Sequence, residues 1–248
     1  MQAIILAAGK GTRLRSLLRG KPKPLLPIKD IPMIGRVIRS LLKIPKISEI
    51  IIITGYMSNK INEYVKKEFK NNNIKLLFNE KYHAGNVLTV CKAEPVIKDS
   101  FILLNADHLF SSKSIKKMIN ESKDITLGVF SNRKLLDDEM KIRLNPDRSV
   151  NMDKNLKKYD YGYTGLTFVG KEYINKYFDG AKTLLKSYGE DAVVEQLISL
   201  LSKEGVPVKI SDLSDFHFFE VDTIDEYKNA DKQFELLEEE EKVIENVY

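Results

Sequence analysis

Two short segments of the 248-residue chain hold residue types suited to binding phosphate. In Leu6-Ala7-Ala8-Gly9-Lys10-Gly11-Thr12-Arg13 an apolar run ends in two glycines. Glycines after a buried strand let backbone N–H groups approach a phosphate closely, and Lys10, Thr12 and Arg13 add donors and positive charge. Lys21-Pro22-Lys23-Pro24-Leu25-Leu26-Pro27 then sets Lys23 between two prolines. Their restricted backbone predicts an extended segment that presents the ammonium rigidly. Neither common phosphate loop is present: the G-x-x-x-x-G-K-[ST] spacing does not fit, and Leu14 occupies the third glycine position of G-x-G-x-x-G. Each segment alone also reads as plain structure, a glycine turn and a proline-stiffened loop.

The elements that would position these groups follow from hydrophobic period. Ala3–Ala8 is too uniformly apolar for a half-exposed strand and reads as a buried one. Ile34, Val37, Ile38, Leu41 and Leu42 form a helical stripe. Ile50–Ile53, Ile74–Phe78, Phe101–Leu104 and Ile125–Phe130 read as strands. Helices around Ile61–Phe69, Val87–Ala93 and Ile115–Ile119 separate them. Such alternation implies right-handed βαβ units in a doubly wound, mostly parallel α/β sheet, with ligands beyond the carboxyl ends of the strands. Gly9–Arg13 and Asp107 then share one rim. The second half changes character: a hairpin around Asn145-Pro146-Asp147-Arg148, a strand over 161–169, a helix over 190–204 and a strand over 216–221. Thr223-Ile224-Asp225-Glu226 is a capping box opening a final helix. With no internal repeat or linker, residues 1–248 read as a single domain with a β-rich insertion.

Composition narrows the functional classes. The chain is 43% hydrophobic and 30% charged, as expected of a globular protein and not of a disordered one. Its apolar runs are too short for a signal-peptide core or a bilayer span, so no membrane insertion is expected. One cysteine, Cys91, cannot form an internal disulfide, and a cytoplasmic setting is the default expectation. Cys91 itself reads as a packed core residue. Net charge is only +5, yet residues 1–48 carry eleven Lys or Arg against Asp30, while residues 215–248 carry twelve acids against three lysines. The acidic tail and the lack of Arg–aromatic interleaving argue against nucleic acid as partner and favour small phosphorylated ligands. Glu238–Glu241 reads as the solvated face of a terminal helix, and the Tyr159/Tyr161/Tyr163 alternation as a strand face.

Together, Leu6–Leu14 and Pro22–Pro27 resemble the opening signature of the nucleotidyltransferases that activate sugar phosphates and related alcohol phosphates. That resemblance implies a Rossmann-like fold, with a nucleotide-binding half over about 1–135 and an acceptor-binding half over about 136–248. It implies Arg13 on the β,γ-phosphates, Lys23 on the α-phosphate, and a nucleotide site built from Leu6, Ala7, Ala8, Gly9, Lys10, Gly11 and Thr12 with Gly85 and Asn86. It also implies Mg²⁺ held by Asp107 and Asp222, since that ion favours carboxylate, phosphate and water oxygens. Asp222 equally reads as a charge at a helix N-terminus. His108 beside Asp107 reads as a turn residue. The acceptor half resembles the family at Lys154, Thr164 and Gly165, with Lys154 facing the acceptor phosphate; a solvated loop lysine is the alternative.

Hexose-phosphate members carry a Leu-Gly-Thr-Ala-type segment near the base, whereas this chain has His83-Ala84-Gly85-Asn86-Val87-Leu88. With Lys154-Asn155-Leu156, the chain looks closer to the cytidylyltransferases of inositol phosphate and phosphocholine. The resemblance therefore implies CTP and myo-inositol 1-phosphate as substrates, with pyrophosphate released. Three alternatives stand beside it: a guanylyl- or uridylyltransferase of a hexose 1-phosphate, a phosphocholine cytidylyltransferase, and a non-catalytic nucleotide-binding regulatory subunit. A homo-oligomer is compatible with all of them.

Overall fold

The computed structural model describes residues 1–242; the last six residues of the acidic stretch, and of the expected domain, lie outside the described residues. One nine-stranded mixed sheet runs through both halves of the chain. Its strands are β1 (Gln2–Ala7), β2 (Glu49–Thr54), β3 (Ile74–Phe78), β4 (Phe101–Asn105), β5 (Ile125–Phe130), β6 (Lys141–Leu144), β7 (Val150–Asp153), β8 (Tyr161–Val169) and β9 (Val208–Asp212). The order β7-β6-β8-β4-β1-β2-β3 leaves the expected strands β4, β1, β2 and β3 parallel, and β9 runs parallel to β5. Antiparallel pairing enters through β8, which pairs with β4, β5 and β6. The sheet is thus α/β with a parallel centre and an antiparallel β-rich insertion.

Helices cover both faces, which is why β1 is apolar over Ala3–Ala7 and β2 over Ile50–Ile53. On one face pack α1 (Met33–Leu42), α2 (Ser58–Glu68), α4 (Ser112–Glu121), α7 (Ile224–Gln233) and α8 (Glu235–Lys242) around Ile5, Ile38, Ile52 and Leu104. On the other lie α3 (Asn86–Cys91), α5 (Ile174–Tyr188) and α6 (Val194–Lys203) around Ile4, Ile51, Phe101 and Tyr177. Cys91 packs against this second core, as expected, and burial pushes its thiol up to about 11. Among the described residues no helix is long and apolar enough to cross a membrane.

Several elements depart from the pattern-based reading. Helix α5 and strand β9 lie outside that reading, although Ile174, Tyr177, Phe178, Ala181 and Leu184 recur at helical spacing. The helix expected over 190–204 starts at Val194, because Gly189–Asp191 first forms a 3-10 turn. The final helix breaks at Phe234 into α7 and α8. A two-stranded ribbon, His108–Phe110 with Phe218–Glu220, pairs His108 with Glu220 and projects from the main sheet. Phe218–Glu220 is the strand expected over 216–221, shortened to three residues, whereas His108–Phe110 is too short to show an alternation.

Candidate active site

The first glycine loop leaves the end of β1, where the Leu6 carbonyl accepts from Ala106 N and the Ala8 carbonyl from Tyr56 N. Gly11 adopts φ +63°, and a Cβ there would lie 2.6 Å from Lys23 Cβ. The glycine is therefore required twice, for its left-handed backbone and for the lysine stem passing over it. Lys23 does not sit in an extended strand as expected. Pro22 is extended, but Lys23 opens a 3-10 turn over Lys23–Leu25, because Pro24 fits the first turn of a helix. The rigid presentation survives, since Lys23 is only 7% exposed.

The ammonium of Lys23 donates to Asp107 Oδ2 and to Asp222 Oδ1. The ribbon brings those two carboxylates together: Val221 N donates to the Asp107 carbonyl at 3.1 Å, so the chain segments holding both aspartates run side by side. Arg13 donates from its guanidinium to Asp222 Oδ2 at 3.0 Å. Asp222 does lie at a helix N-terminus, but the capping work belongs to its neighbours. Thr223 and Glu226 close the capping box, and Glu226 Oε2 accepts from the backbone N of Asp222 at 2.7 Å. The Asp222 carboxylate is left to face the cleft.

The electrostatics reflect this packing. Burial alone would lower the Lys23 pKa, but the two aspartates outweigh it and hold it above the ordinary value. Burial would raise Asp107, yet the Lys23 ammonium and His108 keep it well below the usual carboxylate range. His108 is not a turn residue. It is 6% exposed, with Nδ1 2.8 Å from Asp107 Oδ1 and Nε2 3.7 Å from Glu220 Oε2. Burial opposes its charge, but Glu220 and Asp107 prevail and raise it to about 9.

A cleft of about 610 Å³ opens in front of this cluster, within the range of small-molecule sites. Arg13, Asp222, Lys154 and Gly165 all line it. The Lys154 loop is fixed by buried Lys141, whose ammonium donates to the Lys154 carbonyl at 2.7 Å and the Asp137 carbonyl at 2.9 Å. Thr164 does not face the cleft: it is fully buried in β8, its hydroxyl donating to the Gly128 carbonyl at 2.9 Å. A β-bulge between Tyr163 and Thr167 is what turns it inward.

On the nucleotide side Lys10 and Thr12 are exposed and Ala7 and Ala8 buried, so backbone rather than side chain is available from the alanines. Gly85 and Asn86 are tied to the segment before α6. Gly85 N donates to the Glu190 carbonyl, and Asn86 Oδ1 accepts from Val194 N at 2.7 Å. The Asn86 carbonyl oxygen is therefore engaged within the fold and not directed at a base. Residues absent from the sequence reading also line the cleft: Arg133, Glu195, Phe216, Phe218 and Glu220. Nothing in their spacing marks them; only the pairing of distant strands does.

Two carboxylates converging on one cation fit the donor chemistry of Mg²⁺. Among the described residues no set of three or more His, Cys, Asp or Glu could hold a metal by itself. A pair of carboxylates completed by phosphate and water oxygens is the arrangement this ion usually takes.

Comparison with known proteins agrees with the fold and the opening motifs. The model of the nucleotidyl transferase family matches residues 2–135. The D-glycero-alpha-D-manno-heptose 1-phosphate guanylyltransferase of Campylobacter jejuni is 38% identical over 123 residues, covering 50% of this chain and 55% of that protein. The bifunctional IPC transferase and DIPP synthase of Archaeoglobus fulgidus is 31% identical over 169 residues, covering 66% of this chain and 32% of that protein. The chain thus spans less than two thirds of the length of either relative. Among solved structures, the inositol-1-phosphate CTP transferase of T. maritima superposes with a TM-score of 0.83 at 22% identity, covering 98% of this chain and 96% of that one. Its likeness is one of fold. With more than half its length, residues 2–135, matched by the family model, the chain belongs to the nucleotidyl transferase family.

Proposed function

We propose that this protein transfers a nucleotidyl group, with CTP as donor and myo-inositol 1-phosphate as acceptor, and releases pyrophosphate. The observation that carries the transfer chemistry is Lys23, buried between Asp107 and the cleft-lining Asp222. An acceptor phosphate oxygen attacks the α-phosphorus in line, the bond to the α,β-bridging oxygen breaks, and pyrophosphate departs with that electron pair. A phosphate monoester is already anionic near neutral pH, so the chain need supply no general base. Its work is positioning and charge neutralisation. Lys23 neutralises charge at the α-phosphate, Arg13 holds the departing phosphates, and Lys154 orients the acceptor. Lys10, Gly11, Thr12 and the backbone of Leu6–Gly9 receive the nucleotide, with Gly85 shaping its far wall. Asp107 and Asp222 would hold Mg²⁺, which when bound supplies further neutralisation of the triphosphate.

CTP and inositol phosphate are supported by the His83–Leu88 segment, by the resemblance in fold to the T. maritima enzyme and by the Archaeoglobus relative. Phosphocholine is the second reading. Tyr163, Phe216 and Phe218 line the cleft with Glu195 and Glu220, a combination suited to a quaternary ammonium. The test is pyrophosphate release with Mg²⁺ over the four NTPs and inositol 1-phosphate, phosphocholine, glucose 1-phosphate or mannose 1-phosphate. Turnover confined to CTP and inositol 1-phosphate is expected. CTP with phosphocholine exchanges the acceptor, a hexose phosphate with GTP or UTP overturns both readings, and nucleotide binding without turnover indicates a regulatory subunit.

A further inference from the structure

The buried imidazole of His108 touches neither of the groups that neutralise phosphate charge, yet the fold is shaped around it. Its ring lies between a carboxylate from its own strand end, Asp107, and one from the opposite strand of the ribbon, Glu220. Gly165 supplies the third side. At φ +90°, this residue would place a Cβ 2.3 Å from His108 Cδ2 and 2.6 Å from Nε2, so the β8 bulge leaves a slot that the ring fills. Phe110 stacks at 6.4 Å between ring centroids and restrains the ring further. Gly165 thus meets the cleft through the histidine it accommodates.

We infer that His108 is a positioning residue: clamped by Gly165 and Glu220, it fixes the Asp107 carboxylate in the rotamer that turns Oδ2 toward the cation position. The inference rests on the reading of Asp107 as a Mg²⁺ ligand. A carboxylate has two equivalent oxygens and a broad χ2 torsion, and an unheld Asp107 would sample orientations in which neither oxygen faces Asp222. His108 takes Oδ1 and leaves Oδ2 for the cation, where Lys23 now donates. Hydrogen-bonded partners of metal-binding carboxylates commonly set metal affinity, and losing one costs about 10–100-fold.

The test is a Mn²⁺ titration followed by EPR, on the whole protein with the α,β-methylene analogue of each of the four NTPs in turn. It compares wild type with His108→Phe, His108→Asn, Glu220→Gln and Asp107→Ala. Phenylalanine keeps the ring volume and the stack on Phe110, whereas asparagine restores a donor near Nδ1. His108→Phe is expected to weaken Mn²⁺ by about 10–100-fold while metal-free analogue affinity stays at the wild-type value. His108→Asn is expected to recover most of that loss, and Glu220→Gln to weaken the ion by a few-fold. A purely structural role would move metal-free affinity too and would gain nothing from asparagine. Wild-type Mn²⁺ binding in His108→Phe, with Asp107→Ala deficient, overturns this inference and leaves the site reading intact. Wild-type binding in Asp107→Ala overturns the site reading as well. Should His108→Phe not fold, Glu220→Gln decides, and unchanged Mn²⁺ affinity there rejects the clamp.

Discussion

Basic residues near the start of the chain meet acidic residues far along it both at the cleft and beside α1, with opposite consequences. At the cleft, Lys23 is buried between Asp107 and Asp222. Along the outer edge of α1, Lys29 faces Glu235 at 3.5 Å, Arg36 faces Glu238 at 3.4 Å and Lys43 faces Glu241 at 3.0 Å. The outer ladder is solvated at Lys29, Lys43, Glu235 and Glu238 and half-buried at Arg36 and Glu241, and a pair with one partner in solvent contributes about 0–1 kcal/mol. It gains from packing as well, with the Arg36 guanidinium 3.7 Å from the centre of the Phe234 ring. The inner cluster is shielded, and deleting one partner of such a buried pair can cost about 3–5 kcal/mol. The charge asymmetry of the sequence therefore serves two places, the C-terminal helices that it fastens and the cluster for which phosphate binding is proposed. Glu238 and Glu241 serve the first, and Glu240 accepts from His217 N, so this run is not merely a solvated face.

Breaking the inner cluster should have the largest effect. Lys23→Met is expected to lower turnover by at least about 10²–10³-fold, the usual cost of removing a charged group at a developing anion. Steady-state pyrophosphate release measures it, and a loss under tenfold would remove Lys23 from the chemistry. Gly11→Ala leaves every charge in place but presses a Cβ onto the Lys23 stem. It should cost about 1–3 kcal/mol of stability through the left-handed backbone and reduce turnover about tenfold. Thermal melting beside kcat separates the two effects.

The outer ladder should respond differently. Glu241→Gln is expected to lower stability by about 1 kcal/mol and leave turnover within twofold. Glu241 also shows how the ladder depends on pH. Partial burial opposes its charge, but Ser112 N and Lys43 outweigh that and hold its pKa below the ordinary glutamate value. Its contribution is therefore complete above the unfolded value of about 4.5 and is lost as pH falls through the lower folded value. The Tm difference between wild type and Glu241→Gln should be constant near pH 7 and vanish on acidification; a difference that grows toward acid would reverse the assignment. Lys29→Ala, at the most exposed pair, should change Tm by no more than about 1 °C.

The same contrast explains what the sequence revealed. β1, β2 and α1 were legible because burial on both sheet faces, or on one helix face, writes a period into adjacent residues. Gly11 and Lys23 were legible because their motifs are local. Asp107 and Asp222 enter the reading through family resemblance, and of the ribbon that sets them side by side only the strand near 216–221 is legible, since His108–Phe110 is too short to leave a pattern. Three-dimensional pairing also reassigned two residues. Thr164, placed at the acceptor by the resemblance, is turned into the fold at the bulge of β8, and His108, which reads as a turn residue, meets Glu220 from the far end of the chain. Asn86, which the resemblance implies at the nucleotide, is instead the partner of Val194, a pairing across 108 residues that leaves no local signal.

The separation of Lys23 and Asp222 by 199 residues has a consequence for biosynthesis. At about 5–20 residues per second, a ribosome needs about 10–40 s to travel from one codon to the other. For that interval the glycine loop and its lysine exist in a nascent chain with no second aspartate. The proposed site is complete only once synthesis has passed Asp222. A ribosome stalled near the midpoint would display the opening motif intact without the carboxylate that closes it.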